Sequence, residues 1–211
     1  MGLSSTKPYH NAGEINLVST IRGIEARVQE FPLRQELPPQ HIHMDVTRWS
    51  TSSPNVFKLN VDAAISMNHL TLAVIARNDK GEVLKAWAKQ SDFCNPIQAE
   101  TSAVIWALQL SAFESFMNIA IESDANVCFD AIADNSSTTW VISSLITNII
   151  ELSRSFLSCC FCWIRREAID AAHMLAKFAS HNRSPLQCNY LSLPPSVRDM
   201  CMSYVFSLSI E

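Results

Sequence analysis

Long apolar runs are missing from this sequence. None approaches the roughly 18 residues of a helical membrane span, and residues 1–50 hold no secretory apolar core. Glu14, Glu25, Glu30 and Glu36 also run against an acid-poor organelle transit peptide. The expectation is an intracellular protein, nuclear or cytoplasmic, with no membrane partner. A basic excess is missing too: 16 Lys and Arg against 20 Asp and Glu leave a net charge of -4. Phosphate recognition usually leaves a basic footprint, so any nucleic-acid contact has to rest on local charge. The cysteines follow no metal-ligand spacing, and their number, seven, is odd. Free thiols in a reducing compartment follow from that.

What is present suits one packed domain with tails. Nearly half of the residues are apolar and 17% are charged, which excludes global disorder. From Ile15, apolar residues recur at helical spacing through Val18, Ile21, Ile24, Val28 and Phe31, and Pro32 ends the pattern. Residues 32–54 read as a linker, in which His41 and His43 have no partner at a recognised metal-binding spacing. Residues 1–54 thus form an amphipathic helix and linker, 55–181 the domain, and 182–211 a tail with a short helix after Pro195.

Within the domain, strand character runs over Phe57–Ala64, Leu70–Arg77 and Val83–Ala88. Gly81 is suited to the positive-φ position of the turn between the last two. Asn95 caps a helix that has Pro96 at its first position. Ile119–Asp124 is a fourth strand, followed by helices from Ala125 to Ala133 and from Thr139 to Phe156. A fifth strand, Leu157–Ile164, and a helix from Arg166 to Ala179 close the order βββαβααβα. Five strands in a mixed sheet, the first three antiparallel, with helices on both faces, is its natural packing. Trp87, Trp106, Trp140 and Trp163 fall inside these elements and are expected in the core.

Three acids sit where acids are costly. Asp62 projects from mid-strand, opposite Phe57, Leu59, Val61 and Ala63. It is a solvated strand residue or a ligand. Glu100 lies on or beside the buried helical stripe, where the alternative is a flanking glutamate that snorkels outward. Asp124 stands at a strand's carboxyl end, a ligand position in open α/β sheets. There it, or Ser123, serves equally as a helix cap.

The segments FKLNVDAA, QAETSAVIWAL, IESDANVCFDAI and WIRREAIDAAHMLAKFA, in this order, resemble the plant, retroelement-derived branch of the ribonuclease H superfamily, the domains called reverse-transcriptase-like. The resemblance spans about residues 55–181. It implies a ribonuclease H-like fold and cleavage of the RNA strand of RNA–DNA hybrids, with two Mg²⁺ (or Mn²⁺) ions roughly 4 Å apart. By resemblance Asp62 bridges both ions, Glu100 binds one and places the water, and Asp124 binds the ion on the nucleophile side. Hard oxygen ligands of this kind suit Mg²⁺.

Several departures count against activity. His173 stands where active members carry a fourth acid, and imidazole is a feeble Mg²⁺ ligand; Asp170 is one turn earlier. Arg165 and Arg166 occupy the loop in which active members place a histidine, Ile169 replaces a common asparagine, and Ala64, His69 and Ala73 lie where glycines are usual. Catalysis is thus expected of Asp62, Glu100, Asp124 and His173, and nucleic-acid contact of Arg165, Arg166 and Lys177, within a basic cluster that includes Arg154 and Arg183. The competing expectation is a domesticated retroelement module that binds nucleic acid or protein and cuts slowly or not at all. Either form is expected to be a monomer.

Overall fold

The computed structural model describes residues 40–66, 69–133 and 140–208. The helix expected from Ile15 lies outside the described residues. The elements are β1 (Gln40–His43), β2 (Phe57–Ile65), β3 (Leu70–Arg77), β4 (Val83–Ser91), α1 (Pro96–Phe113), β5 (Asn118–Ser123), α2 (Asn126–Ala133), α3 (Ser143–Ser153), β6 (Ser158–Trp163), α4 (Asp170–Asn182), β7 (Leu186–Cys188) and α5 (Pro195–Leu208), with 3₁₀ turns at Arg166–Ala168 and Tyr190–Ser192.

The strands form one mixed sheet in the order β1-β6-β5-β2-β3-β4-β7. β1, β6, β5 and β2 run parallel, whereas β3, β4 and β7 continue from β2 by antiparallel pairing. The expected order βββαβααβα is therefore the central part of the chain, and the fold is that of an α/β mixed sheet. Two edge strands enlarge the expected five-stranded sheet to seven. β1 arises inside the stretch read as linker, because four residues too polar to signal a strand find a ready partner in β6. Trp49, from the same stretch, is 2% exposed. β7 comes from the tail, and α5 follows it to pack on α4.

The alternation of β2 decides what each face of the sheet carries. Leu59 and Val61 enter a large core with α1, α2 and α3. Lys58, Asn60 and Asp62 point to the opposite face, which α4 covers with Ala171, Ala172, Leu175, Ala176 and Ala179 against Ala73, Ile75, Ala86 and Ala88. The small residues on both sides let α4 lie close to β2, β3 and β4. Gly81 takes φ +83° in the β3–β4 turn, and a Cβ there would stand 3.2 Å from the Trp49 ring. Asn78 secures the same turn by accepting from the backbone N–H groups of Lys80 and Glu82.

On the far side of β2, Glu122 of β5 is buried but fully served. Lys58 Nζ approaches its Oε1 at 2.7 Å, and Asn60 Nδ2 and Trp49 Nε1 donate to its Oε2 at 2.7 and 3.0 Å. Not every aromatic expectation survives. Trp87 and Trp106 are buried, and Trp163 is half-buried with His43 stacked on it at 4.0 Å. Trp140 is 85% exposed: it falls in the turn before α3, where its carbonyl accepts from Ser143, and not within a helix stripe.

Candidate active site

Three separate elements deliver the three acids. β2 places Asp62 on the face covered by α4, with its carboxylate 4% exposed. β5 ends at Ser123, so Asp124 leaves the sheet at a strand's carboxyl end. Ser123 Oγ accepts from Ala125 N–H at 3.3 Å, which makes Ser123 the residue that serves the turn into α2 and leaves the Asp124 side chain to look elsewhere. Asn95 caps α1 through a reciprocal bond with Gln98, and Glu100 follows on its second turn at the margin of the buried stripe.

Arg166 joins two of these acids. Its Nη1 donates to Asp124 Oδ2 at 3.0 Å, and its Nη2 stands 3.8 Å from Asp62 Oδ1. His173, on the first turns of α4, places Nδ1 3.0 Å from Asp62 Oδ2. Arg166 Nη2 also lies against the ring, 2.5 Å from Nδ1 and 3.2 Å from Nε2. His173 Nδ1 and Asp62 Oδ2 share a hydrogen bond, and the Arg166 guanidinium packs beside the same ring. His173 is thus committed to holding Asp62 in place.

The electrostatics record how closely the acids face one another. Burial first, then the charges of Asp124 and Asp62, push the Glu100 carboxyl up to about 7 against the pull of Arg166. Burial and the Asp62 charge likewise raise Asp124, again opposed by Arg166. A single half-exposed guanidinium therefore balances three carboxylates.

Hard carboxylate oxygens with surplus negative charge fit a divalent cation in donor type and in charge. The side chains stand open: among the described residues, no group of three or more His, Cys, Asp or Glu is gathered closely enough to hold a metal ion. The Arg166 guanidinium stands between Asp62 and Asp124. Of the other residues singled out from the sequence, Arg165 is paired with Asp45 at the surface, whereas Arg166 and Lys177 border the same cleft as His173. His41 packs against Phe129.

Comparison with protein families matches residues 60–179 to the reverse transcriptase-like model, which is more than half of the chain. The chain belongs to the reverse transcriptase-like family. Solved ribonuclease H structures share its fold. The ribonuclease H1 of the halophilic archaeon Halobacterium salinarum NRC-1 superposes with a TM-score of 0.57 at 18% identity, over 60% of this chain and 98% of that one. LC11 ribonuclease H1, solved in complex with an RNA/DNA hybrid, gives 0.54 at 18% identity, over 61% and 99%. The N-terminal ribonuclease H domain of rv2228c from Mycobacterium tuberculosis gives 0.53 at 15% identity, over 58% and 97%. A comparison with curated proteins gives no match. In this chain, residues outside the matched 60–179 stretch reach into the domain, since Asp45 engages Arg165 and Trp49 engages Glu122.

Proposed function

We propose that this reverse transcriptase-like protein is a ribonuclease H-type endonuclease that hydrolyses the RNA strand of RNA–DNA hybrids with two divalent ions, Mg²⁺ or Mn²⁺, held by Asp62, Glu100 and Asp124. The observation that carries this reading is that Asp62 of β2 and Asp124 at the end of β5 meet at one arginine, with Glu100 of α1 within electrostatic reach of both. A like-charged triad with so little compensation is a poor structural device and a good cation trap. The bound ions supply an activated water and stabilise the departing 3′ oxygen.

Each residue has a distinct part. Asp62, the most enclosed of the three and held by His173, would supply carboxylate oxygens to the ions. Glu100, pushed up to about 7 by burial and the neighbouring acids when no cation is present, would ionise as a ligand and orient the attacking water. Asp124 serves the nucleophile side. Arg166, once displaced from the carboxylates, carries its charge toward a phosphate. His173 positions Asp62 and does not touch the reacting atoms. The likeness to a ribonuclease H1 solved on a hybrid supports this choice of substrate.

The same arginine favours a second reading, a module that binds nucleic acid and cuts slowly or not at all, because Arg166 already neutralises part of the acid cluster. A labelled hybrid incubated with Mg²⁺ or Mn²⁺ separates the two. The endonuclease is expected to cut, and Asp62→Asn and Asp124→Asn are expected to lose more than the ~10- to 100-fold typical of residues one shell out from a metal. Cleavage that persists in both variants overturns the proposal, and binding without cleavage in either ion establishes the second reading.

A further inference from the structure

All seven cysteines are free thiols, and three of them fall within β6. Cys160 and Cys162 are two residues apart on the strand and so share one face of the sheet, where their sulfurs stand 3.5 Å apart. Cys159 belongs to the opposite face and packs against the large core. Cys162 is 4% exposed, whereas Cys160 is half-buried. Their register partners on β1, Gln40 and Ile42, are both exposed. On β5 the small Ala120 pairs with Cys160, and Lys58 of β2 pairs with Ala120. The dithiol is therefore within reach of a small solute from the β1 edge of the sheet, with a cation on its inner side.

We propose that Cys160 and Cys162 form a reversible oxidation site whose substrate is a hydroperoxide, hydrogen peroxide in the simplest case. Cys160 is the attacking sulfur, and Cys162 resolves the product. The hydrogen bond from Cys162 pulls the Cys160 thiol below its usual range, helped by Lys58 and opposed by burial and the charge of Glu122. Cys162 is pushed up in turn, by the same hydrogen bond and by burial. A thiolate with a thiol beside it has its resolving partner already in contact. The neighbouring thiols lack this relief: burial pushes up Cys159, and Cys128 to about 12.

In the first step the Cys160 thiolate attacks one peroxide oxygen. An S–O bond forms, the O–O bond breaks, and the departing hydroxide leaves as water with the proton that Cys160 gave up. In the second step the Cys162 sulfur attacks the sulfenic acid, an S–S bond forms, the S–O bond breaks, and a second water leaves with the Cys162 proton. The two thiols lose two electrons and the peroxide gains them. Two residues of strand at ~3.3 Å rise set the Cα atoms about 6.6 Å apart, against an upper limit of ~6.8 Å for disulfides. Closure therefore strains β6. A strained disulfide near the surface is of the readily reduced kind, which makes the site reversible.

This inference does not depend on the proposed nuclease activity. The folded full chain is treated with hydrogen peroxide, its remaining thiols are blocked with N-ethylmaleimide, and the tryptic peptide of residues 155–165, bounded by Arg154 and Arg165, is sequenced by mass spectrometry. The expected wild-type peptide has lost two hydrogens and carries its maleimide on Cys159. Reduced glutathione is expected to reopen the bond. Cys159→Ser should oxidise as the wild type does, and Cys162→Ser should stop at a sulfenic acid on Cys160, which dimedone captures. A maleimide on Cys160 or Cys162 of the peroxide-treated wild type overturns the proposal, and so does a disulfide within this peptide that persists in Cys162→Ser. Direct passage of Cys160 to the sulfinic acid in the wild type overturns the resolving role of Cys162. A bond that glutathione leaves intact would be a structural disulfide and would overturn the reversible site.

Discussion

β2 and β5 carry two acid sites only two residues apart along each strand, and they are built on opposite plans. At Asn60 and Glu122, which pair in register, the carboxylate is 2% exposed and receives Lys58, Asn60 and Trp49. One step further, Asp62 and Asp124 share a guanidinium that is 49% exposed, and Glu100 feels its charge without an ion pair to it. In the first site each Glu122 oxygen has a partner, and no ligand is called for. In the second, burial first and then the neighbouring carboxylates raise Glu100 and Asp124 against the pull of one arginine. Burial alone therefore does not mark a functional acid; incomplete compensation does.

The comparison breaks first on stability. Lys58→Ala strands a buried carboxylate, so a loss of about 3–5 kcal/mol is expected in urea denaturation. Removing both charges while keeping an acceptor for Asn60 and Trp49, as in Lys58→Met/Glu122→Gln, should recover much of it. Asp62→Asn, by contrast, relieves like-charge repulsion and should show no loss of that size. Equal losses for Lys58→Ala and Asp62→Asn would mean that both sites are structural.

Ion affinity sharpens the comparison at a smaller scale. If Arg166 occupies the place a cation would take, Arg166→Ala should bind Mn²⁺ about tenfold more tightly, an effect within the range known for groups just outside a metal's ligands. Calorimetric titration without nucleic acid reads this directly. Unchanged or weaker binding would show that the guanidinium supports the ion and does not compete with it.

The open site was more legible in the sequence than the closed one. Asp62 stood out because its strand alternates cleanly, and Glu100 because its helix stripe is nearly all apolar. The four resembling segments supplied the order of elements around them. Glu122 gave no such signal: it shares its strand side with Ala120 and Asp124, and its partners Lys58, Asn60 and Trp49 are far away in sequence. β1 was hidden for a similar reason, since Gln40–His43 becomes a strand only by pairing with β6, some 120 residues later. Arg166 was visible as a basic residue near the last helix, but its bridge between Asp62 and Asp124 depends on the 3₁₀ turn at Arg166–Ala168. Trp140 misled in the opposite direction, because a large apolar ring was assigned to a helix that begins only at Ser143.

The smallest expected effect concerns Glu100 and pH. A carboxyl raised from 4.5 to about 7 keeps its proton longer in the folded state than in the unfolded one. Between those two values the folded protein binds more protons, so stability falls as pH rises, and the full cost stands above pH 7. Glu100→Gln removes that slope. Its stability should equal that of the wild type near pH 4 and exceed it at pH 8, by about 1 kcal/mol or less once solvent screening of a half-exposed side chain is allowed for. Divalent ions act in the opposite sense, because they favour the ionised carboxylate; 10 mM Mg²⁺, a concentration chosen only as roughly saturating for a weak site, should narrow the gap at pH 8 if Glu100 is a ligand. Parallel stability curves for the two proteins, with and without Mg²⁺, would return Glu100 to the solvated helix flank and leave Asp62 and Asp124 to share one arginine as an ordinary ion-pair network.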